Sequence, residues 1–284
     1  MSRIQEILKK AEREGGVHRT RGVAGGPATA GQAVAERPVF SMPEQPAVVA
    51  PPVHIRQAST GLDPRLVAAG ASQSLAAEQY RSLRTRVARA ENGRMFRTII
   101  ITSPNKGDGK SLTAANLALT MAQEFQQRVL LVDADLRRPS IHRLFGIADT
   151  PGLSDVLMGA ATIDDALVTI PDHHLTVVPS GLVPTHPAEL LGSAAMRRML
   201  DTLRTRFDRI LVDMPPVAPL ADVAIASPMV DGILMIVRAG VTPKPAIERA
   251  LSGLDMSKVL GLVLNDAGDT AAKYGYSGYG YAAG

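Results

Sequence analysis

A glycine-rich loop follows the apolar run at residues 98–101 and ends in Gly109-Lys110-Ser111. Gly107 and Gly109 let the backbone turn its N–H groups inward, where they can hold phosphate oxygens. Lys110 can neutralise the β- and γ-phosphates of a nucleotide, and the Ser111 hydroxyl can ligate Mg²⁺. A helix that begins at this lysine would direct its positive end at the same phosphates. The loop therefore predicts a binding site for MgATP.

Acidic residues end two other apolar runs. VLLVDADLRRP (129–139) carries Asp133 and Asp135, and a spacing of two puts both carboxylates on one side of an extended chain. One could hold Mg²⁺ or its water shell, and the other could accept a proton from an attacking hydroxyl. RILVDMPP (209–216) carries Asp213, an expected direct or second-sphere Mg²⁺ ligand. One such aspartate is usually a cap or turn residue, but three of them after a phosphate loop favour a phosphoryl-transfer site.

Short apolar runs alternate with helical stretches in the part of the chain that carries these motifs. Runs bounded by Gly, Pro and Asp are typical of strands that are buried on both faces of a parallel sheet. Their alternation with helices predicts a doubly wound, mostly parallel α/β sheet of the P-loop NTPase type, with ligands beyond the carboxyl ends of the strands. The runs are TIII (98–101), VLLV (129–132), LTVV (175–178), ILV (210–212), ILMIV (233–237) and LGLVL (260–264).

The chain divides into four predicted segments. Residues 1–14 form a short amphipathic helix by periodicity, either a solvated helix or a docking peptide. Residues 15–73 are rich in Gly, Pro, Ala and Val without sustained periodicity, so we expect a disordered linker. Residues 74–272 are the predicted P-loop domain. Residues 273–284 (KYGYSGYGYAAG) are too rich in Gly and Tyr for a core element and are a predicted flexible tail.

Composition limits the possible classes of protein. The 284 residues are 45% hydrophobic, enough for one large α/β domain. The absence of cysteine excludes a disulfide scaffold, a thiolate metal site and a cysteine nucleophile. A net charge of +4 is mild, and we expect no nucleic-acid partner. Because the sequence has neither a run of 18 apolar residues nor an apolar signal region, we expect a cytoplasmic protein.

The phosphate loop, [apolar]₃-D-x-D-x-R and [apolar]₃-D-x-x-P together resemble the motifs of bacterial tyrosine kinases of the capsule and exopolysaccharide type. These kinases belong to the MinD/ParA-like branch of P-loop ATPases. The resemblance covers roughly residues 74–284 and includes EQYRSLRT, LRRPSIHRLFG, PAELLGS and DMPPVAPLADV. It implies an ATP- and Mg²⁺-dependent protein-tyrosine autokinase that regulates polysaccharide synthesis or export.

The resemblance also implies roles for individual residues. The nucleotide site would comprise Gly107, Asp108, Gly109, Lys110, Ser111, Leu112 and Asn265. Asp133 would be the base for the tyrosine hydroxyl, Asp135 and Asp213 would organise the metal with Ser111, and Asn265 would contact adenine. Relatives often carry a hydroxyl where this chain has Leu112, so the contact to the α-phosphate is expected to differ.

The tail holds four of the five tyrosines, which the resemblance makes the phosphoacceptors: Tyr274, Tyr276, Tyr279 and Tyr281. Glu78-x-x-Arg81-x-x-Arg84 matches the helix that relatives use to assemble a ring in which each tail reaches a neighbour's site. Without that likeness, a solvated helix face is the simpler interpretation. Phosphorylation of all four tyrosines would add roughly −6 to −8 charge. We expect this charge to disassemble the ring and a tyrosine phosphatase to reset it.

Two alternatives remain at this level: a MinD/ParA-like positioning ATPase, and a non-catalytic ATP-binding scaffold of a polysaccharide polymerase. A positioning ATPase would need a lysine at the position of Asn105 in this loop. Lys106 is one position later. Pro104, where the phosphate-loop pattern has its first glycine, is a further departure. Some relatives are fused to a membrane activator, and this chain resembles the separate kind. We therefore expect a transmembrane polysaccharide co-polymerase that holds it at the inner membrane.

Overall fold

The computed structural model describes residues 61–70, 74–91, 95–124, 127–218 and 221–268. The predicted helix at 1–14 and the tail at 273–284 lie outside the described residues. The same is true of most of the predicted linker at 15–73.

A seven-stranded sheet lies at the centre of the described chain. Its strands are β1 (Thr98–Thr102), β2 (Val129–Asp133), β3 (Val168–Ile170), β4 (Leu175–Val178), β5 (Arg209–Asp213), β6 (Gly232–Arg238) and β7 (Val259–Asn265). They lie in the order β3-β4-β2-β5-β1-β6-β7, and every neighbouring pair except β3–β4 is parallel. Each of the six predicted apolar runs falls within one of these strands, so the predicted parallel sheet is confirmed.

Helices connect the strands and cover the sheet. They are α1 (Val67–Gly70), α2 (Leu75–Ala90), α3 (Lys110–Ala122), α4 (Ile141–Phe145), α5 (Leu153–Leu157), α6 (Ile163–Ala166), α7 (Pro187–Leu191), α8 (Ala194–Arg206), α9 (Asp222–Ala226) and α10 (Lys244–Ser252), with a 3₁₀ turn at Ser227–Met229. Within the described residues, none of these helices has the length and apolar character needed to cross a membrane.

Alternate residues of β1 pack on opposite faces of the sheet. Ile100 belongs to one apolar cluster with Leu203 of α8, whereas Ile99 and Ile101 belong to a second cluster with Leu117 of α3. All five side chains are buried. A strand with apolar residues on both faces needs helices on both faces, which is the doubly wound arrangement.

Residues 61–70 lie within the predicted linker but pack on the domain. Leu66 is 2% exposed, and the backbone N–H of Ala68 donates to Oδ1 of Asn116 at 3.0 Å. The Asn116 amide in turn donates to the carbonyl of Arg65 at 3.1 Å. The predicted domain boundary at residue 74 is therefore too late, since the folded unit includes residues 61–70.

Candidate active site

The phosphate loop joins β1 to α3 and contains two glycines in the left-handed region. Gly107 has φ +88° and Gly109 has φ +93°, a conformation that side chains disfavour. A Cβ at Gly109 would lie 2.0 Å from Nδ2 of Asn265, at the end of β7. Glycine is therefore required at this position both for backbone conformation and for space. Asn265, predicted to contact adenine, meets the loop directly in this structure.

Asp108 holds the loop together from within. Its Oδ2 accepts from the backbone N–H of Asn105 at 2.9 Å, and its Oδ1 accepts from the Thr242 hydroxyl at 2.7 Å. Its carbonyl accepts from the Asn265 amide at 3.0 Å. The chain after β6 and the end of β7 are thus tied to the phosphate loop. Thr242 was not among the predicted site residues, because only the tertiary structure brings it to this loop.

Lys110 begins α3 and lies between the acidic ends of two strands. Its Nζ is 2.7 Å from Oδ2 of Asp135, 3.5 Å from Oδ1 of Asp213 and 3.0 Å from the Ser111 hydroxyl. Burial by itself lowers the pKa of Lys110, but the carboxylates of Asp213 and Asp135 outweigh it and raise the pKa. The structure therefore brings four predicted site residues together, and the lysine is held as a cation.

The residues around Asp213 fit a magnesium ion. Burial raises the pKa of Asp213, while Lys110 and the Ser111 hydroxyl act to lower it. Its Oδ2 is buried and has no hydrogen-bond partner among the described residues. No cluster of three or more His, Asp or Glu side chains within the described ranges could hold a metal by itself. One or two carboxylates, a hydroxyl and nucleotide phosphates are the set of ligands that Mg²⁺ commonly uses.

Asp133 is more enclosed than its predicted role as a base suggests. Its Oδ2 accepts from the backbone N–H groups of Ser140 and Ile141 at 3.0 and 2.9 Å, and its Oδ1 accepts from that of Asp135 at 3.2 Å. Burial and the neighbouring Asp213 raise the pKa of Asp133 to about 7, against these backbone hydrogen bonds. A pKa near neutrality suits a proton acceptor, but an incoming hydroxyl must compete with three N–H donors.

Arg137 and Asp222 form a bidentate ion pair that the sequence did not assign. Nε and Nη2 of Arg137 lie 2.8 and 3.2 Å from the two carboxylate oxygens of Asp222. The Asp222 side chain is 1% exposed. The pair joins the loop after β2 to the start of α9, after β5. Arg137 lies in the D-x-D-x-R motif and Asp222 lies in DMPPVAPLADV, but neither motif indicates that the two side chains form an ion pair.

Leu112 and the predicted interface residues of α2 make other contacts. Leu112 packs beside the apolar cluster around α3. On α2, Nε of Arg81 donates to Glu78 at 2.7 Å, whereas Nη1 of Arg84 donates to the carbonyl of Thr120 at 3.0 Å. The predicted phosphoacceptors lie outside the described residues: Tyr274, Tyr276, Tyr279 and Tyr281.

A phosphate loop at the carboxyl edge of a parallel sheet, with two strand-end aspartates around its lysine, defines a nucleotide-binding P-loop NTPase. The family described as "ParA: NUBPL iron-transfer P-loop NTPase" matches residues 94–268. The tyrosine-protein kinase YwqD of Bacillus subtilis is 38% identical over 211 residues, which are 74% of this chain and 87% of that kinase. The tyrosine-protein kinase wzc of Salmonella typhi is 34% identical over 219 residues, which are 76% of this chain but 30% of that kinase. The kinase domain of the Escherichia coli tyrosine kinase ETK superposes with a TM-score of 0.70 at 28% identity, covering 79% of this chain and 86% of that domain.

The chain therefore belongs to the bacterial tyrosine-protein kinases, which form a branch of the ParA-type P-loop NTPases. The predicted family, fold class and protein-tyrosine kinase activity are confirmed. The alternative interpretations as a positioning ATPase or an inactive scaffold receive no comparable support.

Proposed function

We propose that this kinase transfers the γ-phosphoryl group of MgATP to the tyrosines of its own C-terminal segment. The observation that carries the proposal is the position of Lys110 between Asp135 and Asp213, at the phosphate loop. The described chain ends at Gly268, three residues beyond β7, and β7 contacts the same loop through Asn265. Four tyrosines follow Gly268 further along the sequence: Tyr274, Tyr276, Tyr279 and Tyr281.

Different residues of this chain would have different roles in phosphoryl transfer. Lys110 binds the β- and γ-phosphates, and the N–H groups of the loop around Gly109 hold their oxygens. Ser111 and Asp213 would hold Mg²⁺ with Asp135 beside them, and the ion, when bound, offsets the negative charge that develops during transfer. Asp133 would take the tyrosine proton, since its raised pKa of about 7 lies far closer to that of a phenol than an ordinary aspartate's does.

We further propose that transfer occurs between copies within a ring. Glu78 and Arg81 lie on α2, on the outside of the domain, where they can meet a neighbouring copy. Phosphorylation of four closely spaced tyrosines would add roughly −6 to −8 charge and loosen such an assembly. A tyrosine phosphatase would reverse the change.

The cellular role we propose is control of exopolysaccharide or capsule synthesis or export. The match to wzc of Salmonella typhi covers 30% of that longer kinase, so the kinase domain there is joined to other sequence. We propose that a transmembrane co-polymerase binds this chain, activates it and holds it at the cytoplasmic face of the inner membrane.

Mass spectrometry of protein incubated with MgATP tests the activity and its acceptors together. Phosphate on Tyr274, Tyr276, Tyr279 or Tyr281, absent from a Lys110→Met variant, is the expected result. ATP turnover without tyrosine phosphate would instead favour a positioning ATPase. If the chain alone is inactive, the assay is repeated with the cytoplasmic segment of the co-polymerase, and continued absence of phosphate would refute the proposal.

A further inference from the structure

The turn between β6 and α10 places the hydroxyl of Thr242 against the phosphate loop. The hydroxyl oxygen lies 2.7 Å from Oδ1 of Asp108 and 2.9 Å from the backbone nitrogen of Arg238. Because the N–H of Arg238 donates to this oxygen and a carboxylate only accepts, the single proton of the hydroxyl is directed at Asp108. Thr242 is therefore a donor to the phosphate loop, although 134 positions separate it from Asp108 in the sequence.

The backbone of the turn fixes where this hydroxyl lies. The N–H groups of Val241 and Thr242 donate to the carbonyl of Arg238 at 3.2 and 3.0 Å. The N–H of Ala239 donates to the carbonyl of Asn265 at 2.8 Å, so the turn is also tied to the end of β7. A β-branched side chain has few rotamers, which limits the hydroxyl further. The position of the donor is thus a property of the sheet edge formed by β6 and β7.

The Asp108 side chain is buried and depends on such donors. Asp108 is 2% exposed, so water can do little for its carboxylate. The backbone N–H of Asn105 donates to Oδ2 at 2.9 Å, and the Thr242 hydroxyl donates to Oδ1, so each oxygen has a donor. Removal of one donor would leave a buried carboxylate oxygen without its hydrogen bond, which is unfavourable.

A carboxylate within a phosphate loop opposes the binding of phosphate unless it is turned away from the ligand. Asp108 lies two positions before Lys110, among residues whose N–H groups are expected to hold phosphate oxygens. Its hydrogen bonds hold its oxygens against Asn105 and Thr242 instead. Without the Thr242 hydroxyl, the freed oxygen would accept from other N–H groups of the loop, where it would compete with phosphate.

We propose that Thr242 is a positioning residue for nucleotide binding, which acts through Asp108 to hold the phosphate loop in the conformation that accepts the β- and γ-phosphates. The inference rests on the binding of ATP at this loop, which the proposed function requires, but not on the identity of the phosphate acceptor. Thr242 does not need to touch the nucleotide in this role. It orients one carboxylate and, through the hydrogen bond from Asn105, the backbone of the loop.

Calorimetric titration of the full chain with MgADP tests this role. Thr242→Val keeps nearly the same shape but removes the hydroxyl, and it should raise the Kd for MgADP by about tenfold, since a hydrogen bond to a charged group is lost. Thr242→Ser keeps the hydroxyl and should retain most of the affinity. Thr202→Val is the matched control, because the Thr202 hydroxyl donates to the carbonyl of Arg198 within α8. An unchanged Kd for Thr242→Val would overturn the proposal.

A double-mutant cycle separates action through Asp108 from a direct contact with the nucleotide and from a role in the turn alone. If Thr242 acts through Asp108, adding Thr242→Val to Asp108→Ala should change the Kd for MgADP by less than about twofold. A direct contact, or a role in the turn alone, would still give a rise of about tenfold in that background. Such a rise would refute action through the carboxylate.

Hydrogen exchange of the Asn105 amide judges the same role without a nucleotide. Exchange should be about tenfold faster in Thr242→Val than in the parent and in Thr202→Val, because the carboxylate that accepts from this N–H is held less firmly. Equal exchange rates would exclude the proposed role. If the parent binds no MgADP, the proposed function fails, whereas the exchange rates still decide the role of Thr242. Thr242→Ala also lacks the hydroxyl and replaces Thr242→Val if that variant does not fold.

Discussion

The ammonium nitrogen of Lys110 lies 2.7 Å from Oδ2 of Asp135, the second acidic residue of the loop after β2. Both side chains are largely buried, so the ion pair is only weakly screened by water. The lysine that we propose binds phosphate is thus also the counter-ion of the acidic loop. Removal of its charge should affect both nucleotide binding and the stability of the fold.

Lys110→Met should reduce tyrosine phosphorylation by at least about 100-fold, because a donor to the developing phosphate charge is lost. It should also lower the free energy of unfolding by ~3 kcal/mol, because Asp135 and Asp213 lose their buried partner. The control is Lys106→Met, since Lys106 lies in the same loop but is exposed. Kinase assays and urea titrations measure both effects. Equal losses in the two variants would contradict the assignment.

The raised pKa of Asp133 predicts a pH-dependent stability. Asp133 has a pKa of about 7 in the folded protein, against ~3.9 in an unfolded chain. Between these values the folded state binds more protons, so the free energy of unfolding should fall as pH rises from about 4 to about 7. Asp133→Asn should reduce this slope, leaving the part due to Asp213, whose pKa burial also raises. Asp201→Asn, at an exposed position, should keep the full slope. Urea titrations across this range provide the measurement.

The same residue predicts the pH profile of the reaction. If Asp133 accepts the tyrosine proton it must be ionised, so phosphorylation should increase as pH rises through about 7. Asp133→Asn should lower kcat and abolish that limb of the profile. A variant that keeps the limb would show that another group accepts the proton.

The sequence predicted those parts of the structure whose signals are local. Six apolar runs bounded by turn residues identified six strands, and the glycines and Lys110 identified the phosphate loop. β3 was missed because its VTI run is three residues long and pairs antiparallel at the edge of the sheet. Residues 61–70 were assigned to the linker because their packing depends on Asn116 and Leu144, which are distant in sequence.

The pairs of residues that interact within the site could not be predicted from the sequence either. Arg137 and Asp222 are separated by 85 positions, and only the adjacency of β2 and β5 brings their loops together. Two of the three N–H donors to the oxygens of Asp133 come from Ser140 and Ile141, after a turn whose path no motif specifies. Residue types at strand ends predict which side chains lie close together. They do not predict which carboxylate oxygens already accept hydrogen bonds from the backbone.

Asp222→Asn should destabilise the fold by ~2 kcal/mol, since a charged, bidentate partner of Arg137 is lost. Arg137→Lys should be less severe, because it keeps the charge but loses the two parallel hydrogen bonds. Asp164→Asn, which removes an exposed ion pair to Arg206, serves as the comparison. Thermal unfolding measures all three, and equal effects for Asp222→Asn and Asp164→Asn would contradict the importance of the buried pair.

The two loop glycines should differ in their tolerance of alanine. Both have positive φ, so each Gly→Ala change strains the backbone by ~1 kcal/mol. A Cβ at Gly109 would also collide with Asn265, whereas one at Gly107 meets no atom within 4 Å. Gly109→Ala should therefore weaken ATP binding more than Gly107→Ala. Adding Asn265→Ser to Gly109→Ala should restore part of the affinity in a nucleotide titration, and no recovery would mean that the collision is not the cause.

Substitutions of the arginines of α2 should distinguish residues needed for assembly of the oligomer from residues needed for stability of the fold. Arg81 pairs with Glu78 on the same helix, whereas Arg84 donates to the carbonyl of Thr120 in α3 and so ties α2 to the domain. Arg81→Ala should reduce the oligomeric mass measured by light scattering and change the free energy of unfolding by less than ~0.5 kcal/mol. Arg84→Ala should reduce both, with a cost of ~1 kcal/mol for the lost hydrogen bond. Arg86→Ala, at an exposed position outside the motif, should change neither. If Arg81→Ala and Arg86→Ala leave the same oligomeric mass, the ring assigned to this helix is wrong.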